Sequence, residues 1–227
     1  MTPYPLERPV LAVDVVIFAV REARLHVLLL RREEDPFEGA WTLPGVAMRV
    51  DETLEASARR ALVEKVCWTV AGEASPYIEQ LATFDALYRD PRGRTVSVAY
   101  VGLTRIAVEA DNVRWQAVAD IVKDDVPFDH YDIIHAAITR LQGKLRYTNI
   151  ARALVSETFR IEELQTVYEA ILDRPVNRTN FRMKLLKIGM IEHVSILDDA
   201  VGKQGGRPPH VYRFTQDLVE SVDREFL

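Results

Sequence analysis

Residues 43–68 read LPGVAMRVDETLEASARRALVEKVCW, a strand end and a Pro-Gly turn followed by a segment with helical spacing. Its apolar positions recur every three or four residues, and they are Leu54, Ala58, Ala61, Leu62 and Val66. This spacing predicts a helix that starts near Glu52, is capped by Asp51 and buries one face. Positions 61, 64 and 65 of such a helix share a face, where clustered carboxylates would hold a divalent cation. Only Glu64 is acidic there, between Ala61 and Lys65, which predicts a helix without that metal chemistry.

Segments with strand character surround this helix. The first two, Val10–Val20 and Leu25–Leu30, are expected to form a hairpin. The others are Trp41–Leu43, Tyr77–Phe84, Thr95–Leu103 and a strand end near Trp115. An amphipathic helix follows at His130–Leu145. Strands and helices in this mixed order predict an α/β sandwich rather than a regular βαβ array. We place a domain boundary near Gly143, which gives domains 1–143 and 144–227.

The second domain has a different pattern. Three segments have helical spacing and are joined by short polar turns: Tyr147–Leu154, Ile161–Leu172 and Asn177–Gly189. Strands are predicted at Met190–Leu197 and Val211–Phe214, on either side of a basic, Gly- and Pro-rich tip at 201–209. Three helices followed by a β-hairpin predict an α+β winged helix-turn-helix domain.

Charge is concentrated in this second domain. The chain has a net charge of −5, yet residues 174–213 contain 8 basic and 3 acidic residues. The apolar residues of the third helix are predicted to face the core, and they are Phe181, Leu185, Leu186 and Ile188. The basic and polar side chains of this helix are then exposed and could contact bases in the major groove of DNA. The predicted DNA contacts on this helix and on the tip are Asn177, Arg178, Thr179, Asn180, Arg182, Lys184, Lys187, Lys203 and Arg207. The alternative is a structural helical domain with an ordinary charged surface.

Composition restricts the compartment. The chain of 227 residues is 48% hydrophobic and contains one cysteine, Cys67, which fits a reducing compartment. We find no apolar run long enough to span a membrane and no secretory signal at the N-terminus. The sequence therefore predicts a cytoplasmic protein that does not associate with membranes.

The segment Gly45–Trp68 resembles the Nudix box. Glu52 and Arg60 fall on a glutamate and the arginine of that pattern, and Glu64 falls on one of the paired glutamates of the family. Four positions depart from the pattern: Val46, Ala61, Lys65 and Cys67. In the family the glutamates bind Mg²⁺ and help to cleave nucleoside diphosphates linked to another group. The departures predict a protein that is not an enzyme, with no metal site beyond the residual Glu64, and with Glu52 and Arg60 as a structural ion pair.

The resemblance extends along nearly the whole chain, to the Nudix-related transcriptional regulators of NAD metabolism, the NrtR family. The segments that carry it are Tyr77–Leu81, Arg89–Arg94, Phe128–His130, Gly143–Thr148 and Gly206–Pro208. It implies a homodimeric repressor of NAD biosynthesis or salvage genes. A Nudix-like domain would sense ADP-ribose or a related nucleotide as effector, with no cofactor required, and a winged helix would bind double-stranded operator DNA.

The resemblance also suggests an effector pocket. Arg49 and Arg92 would bind a diphosphate, Glu79 would accept from a ribose, and Trp41 or Tyr100 would stack on adenine. The alternative for each is a surface ion pair or a core aromatic. Three other functions stay open at this point: a divergent Nudix pyrophosphohydrolase with an accessory domain, a regulator of sugar catabolism with another effector, and a DNA-binding protein whose Nudix domain only dimerises.

Overall fold

The computed structural model describes residues 8–66, 68, 76–106, 108–194, 210–216, 219 and 221. The chain forms two compact units. Unit 1 comprises Met1–Ala19 and His26–Ala137, and unit 2 comprises Val20–Leu25 and Ile138–Leu227. The boundary at Gly143 stays a prediction. No helix in the described ranges combines the length and the apolar character that a membrane crossing needs.

Unit 1 is built on a seven-stranded mixed sheet. Its strands are β1 (Val10–Arg21), β2 (Arg24–Arg31), β3 (Trp41–Thr42), β4 (Gly45–Ala47), β5 (Tyr77–Phe84), β6 (Thr95–Leu103) and β7 (Val113–Ala117), and its helices are α1 (Leu54–Val66) and the start of α2 (His130–Lys144). The strand order is β3-β2-β1-β6-β5, with β4 beside β1 and β7 beside β2. Strands β1 and β6 are parallel, whereas β4, β5 and β7 pair antiparallel with their neighbours. The predicted α/β sandwich is confirmed.

The two faces of the sheet carry different chemistry. Val13, Val15 and Ile17 alternate along β1 and belong to one buried cluster with the apolar side of α1. Asp14 lies between them in sequence, so its side chain points to the opposite face. It sits opposite Gly45 of β4 and Ala99 of β6 in the ladder. A carboxylate is therefore buried in the centre of the sheet.

Helix α1 begins two residues later than the sequence pattern indicated. Thr53, not Asp51, caps it: the Ala56 backbone N–H donates to Thr53 Oγ1 at 3.2 Å, and Ser57 N–H donates to the Thr53 carbonyl. A hydroxyl at the N-cap satisfies a donor of the first turn that has no partner within the helix. Glu52 is left outside the helix, where its carboxylate has a different role.

Unit 2 is a winged helix fold. It contains a 3₁₀ helix (Ile150–Leu154), β8 (Phe159–Arg160), α3 (Ile161–Leu172), α4 (Arg178–Lys187), β9 (Ile191–Val194) and β10 (Val211–Phe214). The strands form an antiparallel sheet in the order β8-β10-β9. The helix predicted over Tyr147–Leu154 forms as a shorter 3₁₀ helix, and β8 was not predicted.

The core of unit 2 attaches α4 to α3. Phe181 and Leu185 are the buried residues of α4, and the ring of Phe181 packs edge-on against Tyr168, with 4.7 Å between ring centroids. Tyr168 is completely buried. Leu186 was expected to face this core, but it is 37% exposed, because the buried face of α4 is narrower than the predicted one.

Candidate ligand and nucleic-acid sites

Glu52 organises the loop between β4 and α1. Its Oε1 accepts from the Arg49 backbone N–H at 2.7 Å, from the Ser57 hydroxyl at 2.8 Å and from Arg60 Nη2 at 2.6 Å. Its Oε2 accepts from Arg60 Nε at 2.9 Å, and Arg60 Nη2 also donates to the Ala47 carbonyl. The Arg60–Glu52 pair is bidentate, a geometry that adds specificity to the charge attraction. The predicted structural ion pair of the box loop is present.

This arrangement makes stability depend on pH. Hydrogen bonds from the Arg60 side chain, with those from Arg49 N–H and Ser57, lower the pKa of Glu52 from 4.5 to about 2. A lowered carboxyl pKa contributes stability above the unfolded pKa, and that contribution is lost as the pH falls through the folded pKa. We expect Glu52→Gln to be less stable than wild type at pH 7 and the difference to shrink between about pH 4.5 and pH 2. Urea unfolding of both proteins across this range measures it; a constant difference would contradict the assignment.

Glu64 is held by two guanidinium groups. Its Oε1 is 3.1 Å from Arg49 Nη2, and its Oε2 is 3.1 Å from Arg60 Nη1. The side chains of Ala61 and Lys65 contain no oxygen, so neither neighbouring position supplies a metal ligand. Magnesium needs several oxygen ligands, and these residues do not fit a magnesium site. Among the described residues no group of three or more His, Cys, Asp or Glu side chains is placed to hold a metal ion.

Arg92 lies in the loop between β5 and β6. Its guanidinium pairs with both carboxylate oxygens of Asp90, at 3.0 and 2.7 Å, and its carbon is 5.9 Å from the ring centroid of Phe128. The guanidinium of Arg32 is 5.3 Å from the same centroid, and Phe37 packs edge-on against this ring. The Arg92 side chain is 56% exposed, so it can meet an anion without leaving its pair with Asp90.

The other three predicted effector residues lie in different surroundings. Trp41 is partly buried, with the guanidinium carbon of Arg114 5.7 Å from its ring centroid. Glu79 accepts from the Tyr77 hydroxyl. Tyr100 is 6% exposed and belongs to the cluster packed against α1, so stacking on a ligand would require that cluster to open. Arg49 and Arg92 are thus the exposed members of the set, Trp41 and Glu79 are partly buried, and Tyr100 is buried.

A cleft of about 320 Å³ in unit 1 was not anticipated. It is lined by Arg31, Arg32, Glu33, Glu38, Gly39, Asp111 and Asn112. None of the five predicted effector residues lines it. The only feature of the sequence that could have indicated this cleft is the charged loop after β2. Charged residues are expected in any solvent-exposed turn, so they did not mark a cleft.

A buried polar network occupies the other face of the sheet. Arg89 donates from Nε and Nη2 to the two carboxylate oxygens of Asp129, at 2.8 and 2.6 Å, and from Nη2 to Asp14 at 3.2 Å. The Ser97 hydroxyl donates to the same Asp14 oxygen at 2.6 Å. Burial acts to lower the pKa of Arg89, but the hydrogen bonds and charges of Asp129 and Asp14 raise it above its ordinary value. The network joins β1, β6, the β5–β6 loop and Asp129, the residue before α2.

His130 extends this network to Leu43, the residue that follows β3. The Leu43 backbone N–H donates to His130 Nδ1 at 3.1 Å. Burial lowers the pKa of His130, so its ring is neutral, and because Nδ1 accepts a hydrogen bond the ring proton is on Nε2. Nε2 lies 3.8 Å from Asp14 Oδ1. A side chain on Gly45 would collide with that same oxygen, which explains the glycine there.

Helix α4 presents the predicted DNA-binding residues. Asn177 caps it by accepting the Asn180 backbone N–H at 3.0 Å, and Arg178 pairs with Glu162 at 2.8 Å, both side chains being exposed. Thr179, Asn180, Lys184 and Lys187 are exposed, whereas Arg182 is half-buried. Lys203 and Arg207, the predicted wing contacts, lie outside the described residues. Met183 is also 55% exposed on this helix, and the sequence pattern did not indicate it as a surface residue.

Both units match families of known proteins. Residues 8–137 match the family model described as NUDIX domain, and residues 151–214 match the one described as NrtR DNA-binding winged helix domain. The ADPR responsive transcriptional repressor NtrR of Acinetobacter baylyi is 35% identical over 214 residues, which cover 91% of this chain and 82% of that protein.

Solved structures agree with this match. NrtR of Shewanella oneidensis complexed with a 27mer DNA superimposes with a TM-score of 0.75 at 33% identity, covering 90% of this chain and 93% of that one. The NUDIX domain of the same protein complexed with ADP ribose gives a TM-score of 0.51 at 36% identity, covering 62% and 94%. The resemblance drawn from the sequence is confirmed. The chain belongs to the NrtR family of transcriptional regulators, in which a Nudix domain precedes a DNA-binding winged helix.

Proposed function

We propose that this protein is a repressor of NAD biosynthesis or salvage genes that binds operator DNA through unit 2 and senses ADP-ribose through unit 1 without hydrolysing it. It acts as a homodimer in the cytoplasm, on half-sites separated by about one helical turn of DNA or a multiple of it. The relatives named for ADP-ribose response and for complexes with DNA support both halves of this function. No cofactor is required in addition to the effector.

Glu64 gives the main support for a sensor rather than a hydrolase. Metal-dependent cleavage needs a cation that bridges protein carboxylates and the substrate diphosphate. Here Arg49 and Arg60 hold both oxygens of Glu64, and Ala61 and Lys65 stand where the box pattern has the other two glutamates of this helix. Arg49 is 59% exposed and keeps N–H donors for an anion such as a diphosphate, which it can bind without a metal. The box region therefore keeps attraction for the ligand and loses the means of cleaving it.

The accessible side chains of unit 1 suggest how the ligand is held. Arg49 and Arg92 bind the diphosphate, Trp41 stacks on adenine and Glu79 accepts from a ribose hydroxyl. Arg49 is 59% exposed and Arg92 is 56% exposed, and each needs only to share its guanidinium between a carboxylate and the ligand. Arginine suits such sharing because it has five N–H donors.

The exposed face of α4 supports the DNA half. Lys184 and Lys187 supply positive charge to phosphates, and Thr179 and Asn180 lie in the first turns, from which recognition helices contact base edges. Ion pairing of Arg178 with Glu162 is solvent-exposed and therefore weak, so DNA phosphate can compete for this arginine.

An operator-binding titration with and without ADP-ribose tests the proposal. Duplexes from the region upstream of the protein's own gene neighbourhood are titrated by fluorescence anisotropy, and ADP-ribose is expected to change the affinity. A parallel assay with ADP-ribose and Mg²⁺ or Mn²⁺ is expected to show no turnover. Turnover at ordinary enzyme rates would identify a Nudix hydrolase instead. Specific DNA binding that no ADP-ribose concentration alters, with no heat of binding in calorimetry, would leave the Nudix domain with dimerisation only.

A further inference from the structure

The outward centre of α4 is apolar. Met183 lies two positions from Phe181 and two from Leu185, the buried anchors of the helix, so it is about 200° around the helix from each. Its side chain is therefore directed away from the core, and it is 55% exposed. Leu186, three positions further on and 37% exposed, continues the same face. We call Met183 and Leu186 the apolar row of α4.

Polar and basic residues flank this apolar row. Asn180, Lys184 and Lys187 line one shallow depression together with it. Single exposed hydrophobic residues are ordinary on protein surfaces. Here two of them lie side by side on the helix that follows the turn of a helix-turn-helix. Lys184 and Lys187 lie along one edge of the row, where they suit the phosphates beside a groove. The charge around the row matches DNA as its occupant.

The floor of the major groove offers one apolar group, the 5-methyl group of thymine. We propose that Met183, supported by Leu186, packs on a thymine methyl group in each half-site and so selects thymine at that position. This inference rests on the proposed DNA-binding function and adds a specificity-determining residue to it. Met183 has an unbranched thioether chain that adapts to the shape of a methyl group, and it makes no hydrogen bond that would compete with base readout.

Replacing thymine with deoxyuridine isolates this contact, because the change removes the methyl group and leaves base pairing intact. The operator is first selected from a random duplex library with the full-length protein. Each thymine of the selected operator is then replaced in turn. For wild type we expect a loss of about three- to tenfold in affinity at one thymine or two adjacent thymines per half-site, as for one buried methyl group with its packing. At the other thymines we expect no loss.

Three variants complete the test. Met183→Ala is expected to bind the thymine operator as weakly as wild type binds the deoxyuridine one and to show no further loss on deoxyuridine. Alanine at this exposed helical position keeps the helix. Met183→Leu is expected to restore the discrimination. Lys187→Ala, the matched control on the same face, is expected to weaken both duplexes equally and to lower the salt slope by about one, while the thymine preference persists.

Several results would overturn the inference. The first is a Met183→Ala variant whose affinity ratio between the thymine and the deoxyuridine operator equals that of wild type. The second is a wild-type protein whose affinity no replacement of thymine changes. The third is a selected operator that contains no thymine. A change of oligomeric state in Met183→Ala with unchanged operator affinity would assign the apolar row to contact with a second copy of the chain. If wild type selects no operator at all, the proposed DNA-binding function fails with it, which is distinguishable from loss of the methyl contact alone.

Discussion

We expect Arg89→Met to lower the free energy of unfolding by about 3–5 kcal/mol, the usual cost of removing one partner from a buried ion pair. The Arg89 side chain is 4% exposed. It donates two hydrogen bonds to the carboxylate of Asp129 and one to Asp14. Methionine fills similar volume without a charge. The buried carboxylate of Asp14 and the largely buried one of Asp129 would then lose the cation that they share. Urea unfolding monitored by circular dichroism measures the loss.

Two further variants test whether the loss of stability comes from the buried position of Arg89 or from the removal of any arginine. Arg59→Met breaks the Arg59–Glu55 pair on α1, whose side chains are 46% and 59% exposed, and we expect a loss of no more than about 1 kcal/mol. Arg89→Lys keeps the charge but loses the planar fork, so its stability should fall between Arg89→Met and wild type. If Arg89→Met and Arg59→Met were equally stable, the network would not contribute as described.

The sequence predicted most of unit 1 because alternation and helical spacing were strong there. The strands Tyr77–Phe84 and Thr95–Leu103 have the observed bounds, since each is a run of strand-forming residues ended by turn residues. The first helix of unit 2 is shorter than predicted, for the opposite reason. Tyr147–Leu154 has helical spacing over too few residues to show whether an α-helix or a 3₁₀ helix forms. The two-residue strand β8 gives no periodic signal at all.

Local pairs could be found from the sequence, and distant ones could not. Glu52 and Arg60 are eight residues apart in a recognisable pattern, and their ion pair was predicted. The partners of Arg89 are 75 and 40 residues away, at Asp14 and Asp129, and nothing local marks them as neighbours. Asp14 stood out only as a charge within a β-branched apolar run. Pairing of β1 with β6, which tertiary packing decides, brings these residues together.

The face of α4 was only partly predicted. The pattern gave Phe181 and Leu185 as inward residues correctly, but it counted Leu186 with them because leucine is usually buried. That choice widened the buried face and hid Met183 as the outward centre of the helix. A rule that assigns every apolar residue to the core fails for Met183 and Leu186, which are exposed. Such exceptions are expected if this face binds DNA as proposed.

The second large effect is expected from Phe181→Ala, which should destabilise unit 2 by about 3–5 kcal/mol. Phe181 is 3% exposed, and its ring packs edge-on on the buried Tyr168 of α3. Removal of the ring leaves a cavity and takes away one of the two buried anchors of α4. Leu185 is then the one fully buried side chain left on α4, the proposed recognition helix. We expect operator affinity to fall by at least about tenfold, because a small misplacement of contacting groups is costly.

The effect of Phe181→Ala should be confined to unit 2, which separates DNA binding from effector binding. Hydrogen exchange is expected to show lost protection in Ile161–Leu172 and Arg178–Lys187 and unchanged protection in Thr95–Leu103 of unit 1. The heat of ADP-ribose binding should persist. Leu186→Ala on the same helix removes a partly exposed leucine and is expected to change stability by no more than about 0.5 kcal/mol. Full protection of α4 and full operator affinity in Phe181→Ala would mean that the packing of Phe181 on Tyr168 does not position the recognition helix.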